Sequence, residues 1–210
     1  MTSRSINEAL SDLIAEAKAI AGDARVTFGS LTAQQLNWKP NQQQWSIGQC
    51  FDHLITANKS YVPIFDKIIK GEKKDTVWQS IPLLPGFFGK MLIRFLDPAS
   101  TRKLKAPKRF RPSNSNIDGN IISGFVDLQN QLTTLMKASE GLNLQRIKIS
   151  SPVSRIITYS LLDAYTIIVV HEKRHFLQAR RVLDSSGFRE APNRRCTEAA
   201  STSASLNPSE

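Results

Sequence analysis

An all-α fold, a four-helix bundle with a long crossover insertion, is the class this 210-residue chain predicts. Three observations carry it. Apolar residues recur at spacings of three and four in four separate segments, the period of an amphipathic helix. Capping boxes stand at the start of three of those segments, and glycines follow their ends. No segment alternates apolar and polar residues convincingly, which favours a helical bundle over a sheet.

Ser5-Ile6-Asn7-Glu8 is the first capping box, a pattern in which the serine accepts an orphaned helix N–H and the glutamate reaches back to the serine backbone. Ile6, Leu10, Leu13, Ala17 and Ile20 then share one face of a first helix. Gly22, Gly29 and Pro40 are read as a linker. Ser46-Ile47-Gly48-Gln49 opens the second helix, expected to run to about Lys70 and stop at Gly71, with Cys50, His53, Ala57, Tyr61, Ile64 and Ile68 as its stripe. Residues 72–114 form the insertion. Its Pro82, Pro85 and Gly86 precede a short amphipathic piece with Phe87, Phe88, Met91, Leu92, Phe95 and Leu96 on one face, expected to fold over the bundle as a lid. A membrane-surface helix is the sharper reading of that piece, but its apolar face is small.

A third helix should begin near Ser115-Asn116, because Ile117, Ile121, Phe125, Leu128, Leu132 and Leu135 keep the period, and Gly141 should end it. The fourth begins at Ser160, whose box is completed by Asp163, and continues through Leu161, Ala164, Ile168, His171, His175, Gln178 and Val182 to a stop at Gly187. Residues 1–187 are therefore read as one domain. The remainder, 188–210, is poor in large apolar residues and is expected to be a disordered polar tail.

Composition limits what such a bundle can do. Apolar residues make up 40% and charged residues 22%, and no apolar run approaches the ~20 residues that span a bilayer, which argues against a transmembrane protein. The segment Met1–Ile6 leads into an amphipathic stretch without an apolar signal region, so a cytoplasmic protein is expected. Cys50 and Cys196 are too few and too far apart for a disulfide framework or a four-cysteine zinc site. Lys and Arg outnumber Asp and Glu by 28 to 18. Part of that excess is concentrated: Arg102, Lys103, Lys105, Lys108, Arg109 and Arg111 share an acid-free stretch that Pro107 and Pro112 mark as extended loop. It reads as an anion-binding loop or, more ordinarily, as a solvated connection. No zinc-finger spacing, basic zipper or aromatic ribonucleoprotein motif accompanies it, so the evidence for nucleic acid is not strong, and binding through residues 102–111 stays a third alternative.

The three histidines are more informative. His171 and His175 are one helical turn apart on one face, and His53 lies in the apolar stripe of the second helix, so all three aim at the bundle interior. Buried imidazoles need hydrogen-bond partners or a metal, and bundle cores build metal sites from side chains on facing helices. Random placement of three histidines puts some pair four apart only about 3% of the time, so the spacing weighs against mere core packing. Three neutral imidazoles with an open fourth position are what a catalytic zinc-like ion uses. His53, His171 and His175 are therefore the candidate ligands of a divalent metal.

His171-Glu172-Lys173-Arg174-His175 also satisfies His-Glu-x-x-His, the zinc-protease helix in which the glutamate acts as general base. Those enzymes take a third ligand downstream, and no Gly-x-x-His continuation follows here. Beside Lys173 and Arg174, Glu172 reads by default as a solvated helix residue. Trp38 and Trp45 read as packing anchors at the entry to the second helix.

Three segments together, Leu36-Asn37-Trp38-Lys39-Pro40, Trp45-Ser46-Ile47-Gly48-Gln49-Cys50-Phe51-Asp52-His53-Leu54 and His171-Glu172-Lys173-Arg174-His175-Phe176-Leu177-Gln178-Ala179, resemble the DinB/YfiT-like superfamily over roughly residues 5–185. The resemblance implies a four-helix bundle that binds a divalent ion, often zinc or nickel, through His53, His171 and His175. Relatives of that kind include thiol-dependent S-transferases and a mycothiol-dependent isomerase, which implies a low-molecular-weight thiol as a further cofactor and a metal-dependent transferase or hydrolase acting on a small molecule. A non-catalytic stress-response or binding protein with a structural metal is the alternative. Gln49, one turn before His53, and Gln178, three residues after His175, are candidate cofactor-binding residues, able to hold a ligand or to orient an imidazole. No catalytic residue is assigned, and a homodimer is the one assembly considered.

Overall fold

The first helix, α1 (Ser3–Phe28), runs straight through Gly22, where a linker was expected. Ala21, Ala24 and Phe28 are buried on the stripe begun by Ile6 and Leu10. Their burial outweighs the roughly 1 kcal/mol that a helical glycine costs. The expected linker also contains α2 (Ala33–Asn37), a single turn capped reciprocally by Thr32 and Gln35 that buries Leu36.

The computed structural model describes residues 3–73, 84–99, 106–113 and 116–190. The second helix begins as expected, with Ser46 and Gln49 forming a full capping box at the start of α3 (Ile47–Lys59). It does not reach Lys70 unbroken: α4 (Val62–Ile69) is a separate helix with proline in its first turn. Pro63 has no N–H and its ring would collide with the carbonyl four residues back, so the chain restarts there. Gly71, at φ +70°, ends α4 in a conformation that favours glycine.

Within the insertion, α5 (Leu84–Leu96) packs against the fourth long helix and the strand before it. Its contact face differs from the expected one. Leu92, Ile93 and Leu96 meet the core, whereas Phe87 is 62% exposed. A Cβ on Gly89 would lie 2.5 Å from the Asp163 carboxylate, so glycine leaves the space that this side chain fills. The chain then returns through 106–113, where a 3-10 turn at Lys108–Phe110 buries Phe110. Of the basic stretch, Lys108, Arg109 and Arg111 are exposed, while Arg102, Lys103 and Lys105 lie outside the described residues.

The third long helix, α6 (Ile121–Ala138), starts later than its apolar period suggests. Ile117 is spent in the preceding loop, where it packs against Gly48, and Asn116 adopts φ 58°. Two short strands then pair antiparallel, β1 (Lys148–Ser150) and β2 (Thr158–Ser160), with Ile149 opposite Tyr159. Strands of three residues are too short to show an alternating period in the sequence, and they leave the fold all-α. The last helix, α7 (Leu161–Leu183), starts at the Ser160–Asp163 capping box as expected.

Helices α1 and α3 each pack against both α6 and α7, which closes an all-α core. One apolar cluster gathers Leu10, Phe65, Leu132, Tyr159 and Tyr165, and a second gathers Phe28, Leu36, Phe51, Phe125 and Val182. At the end of the described chain a 3-10 turn spans Ser186–Glu190, and Phe188 is buried with its ring 5.6 Å from Trp38. Residues 191–210 of the expected tail lie outside the described residues. Among the described residues, no helix is long and apolar enough to cross a membrane.

Gly48→Ala tests the tightest of these contacts. In an open helix the change gains about 1 kcal/mol, but here the new Cβ meets Ile117 and the Leu36 carbonyl at 3.0 Å. Overpacking costs of about 1–3 kcal/mol should exceed that gain and lower the denaturation midpoint. A raised midpoint would show that α2 can retreat.

Candidate metal centre

The capping box that starts α3 also orients its first two turns. Gln49 accepts from Ser46 N through Oε1 at 3.2 Å and donates through Nε2 to the Ser113 carbonyl at 2.9 Å. One turn on, Asp52 Oδ2 accepts from Ser113 N at 2.8 Å and from Ser113 Oγ at 3.1 Å. His53 Nδ1 lies 2.5 Å from the Phe110 carbonyl. The returning arm of the insertion is thus strapped across α3 directly over the histidine. Because a carbonyl only accepts, Nδ1 of His53 carries the proton and Nε2 presents its lone pair.

That lone pair points at α7. His53 Nε2 and His171 Nε2 are 3.0 Å apart. The His53 ring centre lies 4.9 Å from His171 and 4.6 Å from His175, and the latter two are 4.7 Å apart. One ligand nitrogen from each falls within 4.8 Å of the others. Trp45 closes one side, stacked on His175 at 5.6 Å and tilted onto His53 at 5.0 Å. Its role is thus more than the packing anchor expected of it, and Trp38 packs elsewhere, on Phe188.

Electrostatics keep these rings neutral. His53 and His175 are buried and His171 is half-buried. Desolvation lowers the His53 pKa, against the raising effects of the Phe110 carbonyl and of Asp52. His171 is held well below the ordinary imidazole value by desolvation, and then by repulsion from His175, His53 and Arg174. His175 falls to about 3, through desolvation and the proximity of His53, although Gln178 opposes the shift. Three unprotonated imidazoles are the form a metal requires.

The arrangement fits a divalent ion on its own geometry. Nitrogens bound tetrahedrally at about 2.0–2.1 Å from one ion stand about 3.3 Å apart, within the 3.0 to 4.8 Å spread seen here. His175 Nδ1 is buried without a hydrogen-bond partner, a vacancy that buried polar atoms rarely tolerate. Of the two expected cofactor-binding amides, Gln178 sits beside His175, whereas both ends of Gln49 are already committed to Ser46 and Ser113.

Glu172 is not the solvated residue expected from its charged neighbours. It is fully buried; Oε1 accepts from Asn58 Nδ2 at 2.5 Å and Oε2 from Gln129 Nε2 at 2.6 Å. Burial pushes its pKa up to about 8 in spite of both hydrogen bonds. With both oxygens committed to α3 and α6, it does not stand as the general base of a zinc-protease helix. Asn58 and Gln129 had a signal in the sequence, since each amide interrupts an apolar stripe, between Leu54 and Tyr61 and between Phe125 and Leu132. The Phe110 carbonyl had none.

The His175 shift has a definite sign. Unfolded chain takes up this proton near the ordinary pKa of 6.5, folded chain only near 3, so in chelator the stability falls as pH drops from about 7 toward 4. Glu172, shifted the other way, loses stability as pH rises from its ordinary 4.5 to about 8, so the two effects overlap and separate only in variants. In chelator, thermal midpoints of His175→Gln should decline less with acid than those of wild type. Parallel declines would mean that His175 is not buried as a neutral ring.

Comparison with known proteins follows the same residues. A family model described as the DinB superfamily matches residues 19–179, which include all three histidines. The chain is also similar to "Uncharacterized protein YuaE" of Bacillus subtilis (strain 168), 28% identical over 155 residues, covering 72% of this chain and 85% of that one. No solved structure matches. The helical fold and the match over most of the chain together place this protein in the DinB superfamily.

Proposed function

We propose that this protein is a metal-dependent enzyme that holds one divalent ion, zinc or nickel, between His53, His171 and His175 and acts as a transferase or hydrolase on a small molecule, with a low-molecular-weight thiol as the further cofactor in the transferase case. The observation that carries the reading is the convergence of three neutral imidazoles within 4.8 Å, one with an orphaned buried nitrogen. A divalent ion in such a ligand set is a Lewis acid that makes a thiol or a water acidic enough to serve as nucleophile at neutral pH.

The chain's own residues prepare that chemistry. Phe110 holds the proton of His53 on Nδ1, so the ring offers one fixed lone pair. Trp45 covers His175 and His53 and excludes water from one side. Gln178, beside His175, is placed to hold a ligand or to orient that ring. The low exposure of His53 and His175, 4% and 8%, supports a second reading in which the ion only clamps α3 to α7.

Elemental analysis of the purified protein decides the metal, with His53→Ala and His171→Ala beside it. Wild type should carry one equivalent and each variant none while still melting cooperatively; metal retained in both variants would exclude this ligand set. Titrating the cobalt-loaded protein with a small thiol then separates the two readings. A thiolate-to-cobalt absorption band marks an open coordination position, and an unchanged spectrum marks a structural clamp.

A further inference from the structure

Glu172 and the histidines share two helices. Helix α3 presents His53 and, five residues later, Asn58; helix α7 presents His171 and, next to it, Glu172. The result is two points of approach between the same pair of helices, His53 Nε2 facing His171 Nε2 at 3.0 Å and Asn58 donating to Glu172 at 2.5 Å. A third, Gln129 to Glu172 at 2.6 Å, brings in α6. Apolar packing seats α7 in the core, and these polar contacts fix the rotation of the turn that carries the histidines. Successive residues are about 100° apart round that axis, so a slip of one residue would carry both histidines out of reach of His53. The grip of Asn58 and Gln129 on Glu172 opposes that slip.

We propose that Glu172 is a positioning residue for the metal centre, its buried carboxyl gripped by Asn58 and Gln129 so that α7 is held in the one rotation that presents His171 and His175 to His53. The role rests on the metal reading above. Gln129 Oε1, the other end of that amide, is buried without a partner. A glutamine in place of Glu172 accepts from Asn58 through its oxygen, and its amide N–H finds that Oε1 once the Gln129 amide turns over. The conservative variant therefore keeps the network whole, whereas alanine leaves two buried amides without a partner.

The test uses Glu172→Gln, Glu172→Ala and Asn58→Leu in the full chain, with cobalt(II) as the probe. Affinity is read by competition with a chelator, geometry by the visible absorption spectrum, and folding by the melt in chelator. Glu172→Gln should bind cobalt as wild type does. Glu172→Ala and Asn58→Leu should bind at least about tenfold more weakly, with an altered spectrum. If Glu172→Ala does not melt cooperatively, Asn58→Leu decides. Lower melting points with unchanged affinity and spectrum would reduce Glu172 to a fold residue and overturn the proposal. So would a Glu172→Gln variant as impaired as the alanine. Wild type that takes up no cobalt would overturn the metal reading and this role with it, an outcome distinct from wild type and Glu172→Ala binding equally well.

Discussion

A buried imidazole or carboxyl costs several kcal/mol unless something meets it, and one turn of α7 places three such groups within five residues. Each residue from 171 to 175 is met by a different part of the molecule. His171 meets His53 of α3, and Glu172 meets Asn58 and Gln129. Lys173 pairs with Glu16 of α1. Arg174 donates to the Phe95 and Asp97 carbonyls, left open where α5 ends. His175 lies under Trp45. The helices round α7 thus each supply a partner to this turn, to its buried groups from α3 and α6 and to its partly exposed cations from α1 and the end of α5.

The insertion belongs to the same economy of polar groups. Its return arm runs over α3 because the Phe110 carbonyl, the Ser113 backbone and the Ser113 hydroxyl each find a partner there. In doing so it selects the tautomer of His53. Its helix α5 reaches α7 over Gly89, where the missing side chain admits the Asp163 carboxylate that caps α7. What reads in the sequence as an interruption of the bundle is structurally the lining of one side of the histidine site.

The Trp-Ser-Ile-Gly segment also resolves into separate physical parts. Trp45 stacks on an imidazole, Ser46 caps α3, Ile47 enters the core, and Gly48 leaves room for Ile117 and the Leu36 carbonyl. Four adjacent residues thereby start the helix, set its depth and wall the site to which it delivers His53.

The sequence by itself determined what depends on near neighbours along the chain: the capping boxes at Ser46 and Ser160, the stop at Gly71, the amphipathic stripes, and the pairing of His171 with His175 on one face. Those features rest on interactions within one or two helical turns, which spacing displays directly. Even the break at Pro63 was of this local kind. Tertiary structure alone decided that Gly22 lies inside a helix, that Ile117 leaves the stripe of α6 to fill the space at Gly48, and that three-residue strands pair. It also decided the fate of Glu172. A glutamate between a histidine and a lysine looks solvated until α3 and α6 bring Asn58 and Gln129 to it, because burial belongs to the surface that arrives and not to the residue itself. The Phe110 carbonyl is the extreme case: every residue carries that group, so only the path of the chain could show which one would hold His53.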